Sequence, residues 1–263
     1  MEKDIMKEFY HALEENRIKP YFQPQYTTNG FDVAACEALC RMELKDGTII
    51  MPEKYIPTLE GTGEICSLDW HILIKVCWFL SRLRFWGIKP VPVAVNFSSR
   101  HSEEWDTAEH LSSIVDSYGI DHELIEVEIT ETYKPDEYPL QTTIDRIRDK
   151  GFSVAIDDFG KGYSSFGLIK NIHFDKVKID KSFIKDDCED FKTKAMIESI
   201  IKMSERLGAK TVVEGVENAK QLSYLNCCGC DLLQGDYLGE PMKELRFLDL
   251  LNTRDKAERA YAR

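Results

Sequence analysis

Two carboxylates stand side by side at Asp157-Asp158, directly after the apolar run Phe152 to Ile156 and directly before Phe159-Gly160-Lys161-Gly162. Adjacent carboxylates at a buried strand end repel each other and lose hydration, so they ionise together when a cation lies between them. A metal site is the chemistry this pair suits. Gly160 and Gly162 permit backbone angles closed to other residues, and Ser164 or Ser165 can cap a following helix, so the stretch reads as a mobile loop between strand and helix. Taken alone, the same residues also fit a surface turn, since Asp and Gly are common turn residues.

The ends of other short apolar runs add weight to the metal site. Asn96 follows Val95, Glu128 lies between Val127 and Ile129, Lys178 precedes Ile179, Glu214 follows Val213 and Gln234 follows Leu233. With Glu37 and Glu217, the set Glu37, Asn96, Glu128, Asp157, Asp158, Glu214 and Glu217 offers oxygen donors and no imidazole or thiolate, which favours hard ions such as Mg²⁺ or Mn²⁺ over zinc or copper. These donors suffice for two ions sharing a bridging carboxylate, a known arrangement for in-line displacement at phosphorus. Lys178 is the fixed cation among them, and Arg41 suits a bidentate phosphate contact. The chemistry is phosphodiester hydrolysis. Ca²⁺, with longer and looser oxygen contacts, is expected to bind the same donors and inhibit. Gly160-Lys161-Gly162 lacks the spacing of a Walker loop, and neither a G-x-G-x-x-G after a strand nor an H-E-x-x-H is present. The six histidines fall in helices or loops, as surface or packing residues.

The elements that must position these groups follow from hydrophobic period. Ile5, Met6, Phe9, Tyr10 and Leu13 recur at helical spacing, and Lys19 to Tyr26 and Phe31 to Met42 form strands about the turn Asn29-Gly30. Helices are expected at Glu64 to Trp86, Asp106 to Tyr118, Pro135 to Lys150, Phe191 to Leu207 and Asn218 to Leu225. Between them come strands at Val91 to Val95, Leu124 to Ile129, Phe152 to Ile156, Lys176 to Ile179, Thr211 to Val213 and Asp231 to Leu233. Such alternation predicts an α/β fold with a parallel sheet, closed as a barrel or open and doubly wound. In a barrel the C-terminal strand ends converge on one mouth, where the polar residues above would meet. Strand alternation places Glu37, Leu39 and Arg41 on one face of the second strand and Cys36, Ala38 and Cys40 on the other. Trp70, Trp78 and Trp86 recur every eight residues on one helix and are expected to pack against the barrel.

A chain of 263 residues suits one such domain, spanning 1–263. Its formal charge of -12 argues against duplex nucleic acid or an anionic membrane as a partner. The apolar segment Ile65 to Trp86 is interrupted by Asp69, His71, Lys75 and Arg82, so no membrane segment is expected. The eight cysteines read as reduced thiols of a cytoplasmic protein. Cys227-Cys-Gly-Cys230 has C-x-x-C spacing without a second pair, which favours packing over zinc.

Nine motifs in order, from Gln23-Pro24 and Glu37-Ala-Leu-Cys-Arg41 through Ile56-Pro57, Asn96-Phe-Ser98, Glu128-Ile-Thr-Glu131, Asp157-Asp-Phe-Gly160, Lys178-Ile-Asp180 and Glu214-Gly-Val-Glu217 to Gln234-Gly235, resemble the EAL family of cyclic di-GMP phosphodiesterases. The resemblance covers about Phe9 to Pro241, leaving an N-terminal helix and a charged C-terminal tail outside it. It implies a modified TIM barrel with an antiparallel first strand, hydrolysing cyclic di-GMP to linear pGpG with two Mg²⁺ or Mn²⁺ ions. By the same resemblance Glu37, Asn96, Glu128 and Asp157 hold one ion, and Asp157 bridges to a second held by Asp158 and Glu214. Lys178 sits by the attacking water, Glu217 and Gln234 complete the water and substrate shell, and Gln23, Leu39 and Arg41 contact the dinucleotide. Glu131, Gly160, Lys161 and Gly162 correspond to a regulatory loop that takes part in a homodimer. Sensor or GGDEF partners, fused or separate, are also implied.

Three departures from the family pattern stand out. Lys161 replaces the usual Thr, Leu59-Glu-Gly-Thr-Gly63 lacks a second acid, and Asp236 stands where an aromatic is common. Three other functions fit the chain less well, one of them a metal-dependent phosphodiesterase for some other cyclic or linear nucleotide, which only the family resemblance disfavours. A receptor that binds cyclic di-GMP without cleaving it typically lacks acidic ligands that are present here, and an interaction platform would use the outer helices.

Overall fold

The computed structural model describes residues 2–30, 32–103, 106–130, 139–160, 169–170, 172–185 and 190–261. The chain opens with helix α1 (Glu2–Glu14), followed by strands β1 (Ile18–Thr27) and β2 (Val33–Glu43), paired antiparallel from Ile18 opposite Met42 to Tyr26 opposite Val33. The two-residue strand β3 (Ile49–Ile50) pairs with the outer end of β2. Next come α2 (Ile56–Thr62) and the long α3 (Ile65–Phe85). Strands then alternate with helices: β4 (Val93–Phe97), α4 (Thr107–Ser117), β5 (Ile125–Thr130), α5 (Pro139–Asp149), β6 (Ser153–Phe159), β7 (Lys176–Ile179), α6 (Phe191–Arg206), β8 (Lys210–Val213), α7 (Ala219–Cys228), β9 (Leu232–Leu233) and α8 (Glu244–Tyr261).

From β2 and β4 through to β9 each strand is parallel to its neighbour, and β1 closes the ring by pairing antiparallel with both β2 and β9. The sheet is therefore a closed barrel with an antiparallel first strand. The open, doubly wound alternative is excluded, because its two edge strands would not meet.

Side-chain alternation explains how this barrel closes around polar residues. Residues of one parity on the strands, such as Cys36, Ala38, Val93, Val95, Val127, Ile129, Val154, Ile156, Val177, Ile179, Val213 and Leu233, join one apolar cluster with the helices. The other parity brings small residues, Ala35, Ala94 and Ala155, together with the charged pairs Glu126 and Glu128 on β5 and Lys176 and Lys178 on β7. Small neighbours leave room for these long side chains. In the lower layer Lys176 Nζ lies 2.7 Å from Glu126 Oε1, and Ser153 donates to Glu126 Oε2 at 3.1 Å. The upper layer is the mouth.

Two expectations need correction. The C-terminal segment is no tail as far as Tyr261: it forms α8, which buries Phe247 and Leu251 and stacks Phe247 on Phe22 of β1 with ring centroids 5.3 Å apart. Its charged residues alternate with an apolar stripe that the overall charge conceals. The tryptophans do not share a buried face, for Trp78 and Trp86 are 46% and 44% exposed. Eight residues at about 100° each drift by roughly 80°, so Trp70 turns in against Phe97 and His110 while the other two turn out and bracket the Arg82 guanidinium, 4.4 Å from each ring. Some elements, including β3 and α2, were too short to carry a period.

Of the Cys227-Cys-Gly-Cys230 motif, Cys230 packs in the core and Cys228 is half-buried, while Cys227 is exposed; Cys188 lies outside the described residues. Cys36, Cys77 and Cys230 are buried, and burial pushes the thiols of Cys77 and Cys230 up to about 12. No helix among the described residues is long and apolar enough to cross a membrane.

Candidate active site

Lys178 stands at the centre of the mouth with 1% of its surface exposed. Its ammonium lies 2.8 Å from Glu128 Oε2 and Glu214 Oε1, and 3.1 Å from Glu37 Oε2 and Asp157 Oδ1. These acids come from β2, β5, β6 and the end of β8, so the ring exists only because the sheet closes. Parallel pairing puts Asn96 opposite Glu128, and Asn96 Nδ2 donates to Glu37 Oε1 at 3.0 Å. Gln234, just past β9, donates from Nε2 to Glu37 Oε2 at 2.8 Å and to Gln23 Oε1 at 3.0 Å.

On a straight strand Asp157 and Asp158 would point to opposite faces. Here the pairing of β6 with β7 slips between Ile156 and Phe159, and Asp158 adopts a left-handed φ of 54°. The bulge re-aims the second carboxylate. Carboxylate oxygens of Asp157, Asp158 and Glu214 then lie within 4.8 Å of one another, the one such group of possible cation ligands among the described residues.

Two glycines let a neighbouring turn set these loops. At Gly160, φ is 95° and an added Cβ would come 2.3 Å from the Phe183 ring; at Gly215, φ is 72° and it would come 2.2 Å from Lys181 Cβ. The turn Lys181–Phe183 thus lies close against Gly160, just past Asp158 at the end of β6, and against Gly215, just past Glu214.

The charges are crowded. Burial, reinforced by the neighbouring acids Glu37 and Asp157, pushes the Glu128 carboxyl well above its usual range, and burial likewise raises Glu214 to about 8. At Glu37 burial acts in the same direction, but Lys178 and the hydrogen bonds from Gln234 and Asn96 outweigh it and hold the carboxyl low. At Lys178 burial favours the neutral amine, and the surrounding acids outweigh it to keep the ammonium charged. Glu128 Oε1 is buried without a hydrogen-bond partner, and Asp157 Oδ1 approaches Lys178 without hydrogen-bond geometry. Glu37, Glu128, Asp157, Asp158 and Glu214 against one ammonium leave four formal negative charges, the number that two divalent cations cancel. An oxygen-only donor set with an orphaned buried carboxylate oxygen fits hard divalent ions.

The structure therefore brings together Glu37, Asn96, Glu128, Asp157, Asp158, Lys178, Glu214, Gln234 and Gln23. Leu39 and Arg41 lie farther out along β2, half-buried, with the Arg41 guanidinium 6.0 Å from the Tyr21 ring centroid. Glu217 follows Glu214 in the same loop, where its backbone N–H donates to Gln221 Oε1 at 2.7 Å. Glu131, Lys161, Gly162, Ser164 and Ser165 lie outside the described residues. Two further members were not expected. Gln25 is fully buried and donates to Gln234 Oε1 at 2.9 Å, and strand alternation from Gln23 is the signal that points to it. Gln221 is the other: with Asn218 it forms a capping box at the start of α7, a local pattern, while its bond to Ile184 O across to the turn after β7 has no local signal.

Residues 6–241 match the family model for the EAL domain. The chain is 32% identical over 239 residues to the signaling protein YkoW of Bacillus subtilis, covering 90% of this chain and 30% of that protein. It is 30% identical over 245 residues to the cyclic di-GMP phosphodiesterase NbdA of Pseudomonas aeruginosa, covering 92% and 31%. The chain thus spans about 30% of the length of these curated relatives. The solved structure of the PaMucR phosphodiesterase in complex with c-di-GMP aligns with a TM-score of 0.85 at 27% identity over 93% of this chain and 99% of that one. That of the EAL enzyme Bd1971 with cAMP and cyclic di-GMP bound aligns with a TM-score of 0.88 at 22% identity over 95% and 69%, a likeness of fold. With one family model running through the closed barrel and its acid ring, the chain belongs to the EAL domain family.

Proposed function

We propose that this chain hydrolyses cyclic di-GMP to linear pGpG using two Mg²⁺ or Mn²⁺ ions. The observation that carries this reading is the ring of acids around Lys178, with its orphaned Glu128 oxygen, at the mouth of an EAL barrel. The NbdA relative is named a cyclic di-GMP phosphodiesterase, and the PaMucR structure holds c-di-GMP. Glu37, Asn96, Glu128 and Asp157 would hold one ion, with Asp157 shared with a second held by Asp158 and Glu214. When bound, the ions supply Lewis acidity to the phosphate and an acidified water.

The chain's own residues do the rest. Lys178 keeps its charge in a dry setting and stabilises negative charge as it develops between water and phosphorus. Gln234 and Asn96 orient Glu37 and favour its ionised form. Glu217 accepts a hydrogen bond from the attacking water. Arg41 donates to a phosphate, and Gln23, Leu39 and Gln234 line the path of the dinucleotide. Dimerisation through the loop after β6 and control by sensor or GGDEF partners are part of the same proposal.

Incubating metal-loaded protein with cyclic di-GMP and resolving the products by chromatography tests it. Accumulation of pGpG supports the reading. Tight binding of intact cyclic di-GMP without product would make the chain a receptor instead.

A further inference from the structure

The turn after β9 carries a carboxylate, Asp236, beyond the acid ring, and clamps it in place. Val216 N–H donates to Gln234 O, and Tyr237 N–H returns a bond to Val216 O, each at 3.0 Å. Leu238 and Gly239 N–H both donate to Gly235 O at 3.0 Å. A Cβ on Gly235 would lie 2.2 Å from Val216 N, and one on Gly239 would lie 2.8 Å from Pro24 Cγ. The turn is thus wedged between the loop after β8 and strand β1.

Asp236 is tied to the site through side chains. Gln23 Nε2 donates to Asp236 Oδ1 and to Gly239 O, both at 3.2 Å, and Gln23 Oε1 accepts from Gln234 Nε2, which also binds Glu37. Asp236 itself is exposed, whereas Gln23 and Gln234 are buried. An unbroken chain of hydrogen bonds therefore runs from the acid ring out to a carboxylate on the rim, and Gln23 sets its orientation.

A carboxylate there repels a phosphodiester, so its use lies with another part of the ligand. An ionised carboxylate only accepts hydrogen bonds. Guanine presents two adjacent donors, N1–H and the 2-amino group, on its Watson–Crick edge, and two carboxylate oxygens match that pair as they match a guanidinium. Adenine presents an acceptor at N1 and is refused.

We propose that Asp236 reads the N1–H and 2-amino edge of one guanine of the substrate. The assignment rests on the cyclic di-GMP reading above. It makes Asp236 a specificity residue, separate from the groups that hold metal or water.

The test compares cyclic di-GMP with its inosine analogue, which lacks the 2-amino group, and with cyclic di-AMP. Binding is titrated in Ca²⁺ and turnover followed in Mg²⁺, for wild type and Asp236→Asn. Asparagine keeps an oxygen for Gln23 and the same shape, so thermal unfolding should not change. Wild type should prefer cyclic di-GMP over the inosine analogue by about 10-fold or more in Kd, as expected for one charge-assisted hydrogen bond. In Asp236→Asn, binding of cyclic di-GMP should weaken by about 10- to 100-fold, the preference should fall to about 3-fold or less, and turnover at saturation should stay within about 3-fold. A variant that keeps the wild-type preference overturns the assignment and leaves the phosphodiesterase reading standing. A wild type that neither binds nor cleaves cyclic di-GMP overturns both.

Discussion

Lys178 Nζ lies 2.8 Å from one carboxylate oxygen of Glu128, while the other oxygen of that fully buried residue has no hydrogen-bond partner. One side of the carboxylate is satisfied by the chain, and in the function proposed above the other side takes a cation. A buried acceptor without a partner costs on the order of 1–3 kcal/mol, more when charged, so the site stores a demand for positive charge.

Glu128→Gln removes a crowded negative charge. The metal-stripped variant should be at least as stable as wild type, while the stabilisation by Mn²⁺, about 2.7 kcal/mol at 100 times Kd for a single site, should largely vanish. Thermal melts with and without Mn²⁺ check this. An undiminished shift with Mn²⁺ would remove Glu128 from the metal site.

Glu37→Gln and Asp157→Asn should each abolish hydrolysis and leave the fold intact, with binding of cyclic di-GMP weakened less than turnover. Circular dichroism, a binding titration and a turnover assay separate the effects. Near wild-type turnover at saturating Mg²⁺ in either variant would break the ligand assignment.

Lys178→Ala leaves the acid ring without its ammonium. Stability of the metal-stripped protein should fall by roughly 3–5 kcal/mol, the cost of breaking a buried ion pair by removing one partner, and Mg²⁺ should restore part of it. Turnover should fall more than substrate affinity, because the ammonium acts as charge develops. Unchanged kinetics would reduce Lys178 to a packing role.

Gln221, with 1% of its surface exposed, accepts from Glu217 N–H at 2.7 Å and donates to Ile184 O at 2.8 Å. It straps the loop after β8 to the turn after β7. Gln221→Ala should cost about 1–3 kcal/mol in chemical denaturation and lower kcat more than it raises KM, since Glu217 loses its anchor. Gln221→Glu keeps the acceptor and should recover part of kcat. A stability loss with unchanged kcat would make the strap purely structural.

Mg²⁺ forms short oxygen bonds of about 2.0–2.1 Å in near-octahedral geometry, whereas Ca²⁺ prefers about 2.3–2.6 Å and a larger shell. Metal-stripped protein should regain hydrolysis with Mg²⁺ or Mn²⁺, and with Ca²⁺ should bind cyclic di-GMP almost uncleaved. Equal rates with Ca²⁺ and Mg²⁺, or full activity under chelation, would sink the two-metal proposal.

Hydrophobic period in the sequence was enough to place most strands and helices within a few residues. Strand ends were also enough to nominate the acids, because a polar residue closing an apolar run is a local signal. Closure of the sheet was not local, since β1 meets β9 across more than 200 residues. Nor could spacing predict that Asp157 and Asp158 would share a direction, for strand alternation argues the opposite and a backbone bulge at Asp158 reverses it. The outward turn of Trp78 and Trp86 and the docking of α8 depend on which face a neighbour covers, a matter of packing. Residue type announced the carboxylates and the lysine; their convergence on one ammonium came from a barrel that brings separate strand ends within hydrogen-bonding distance.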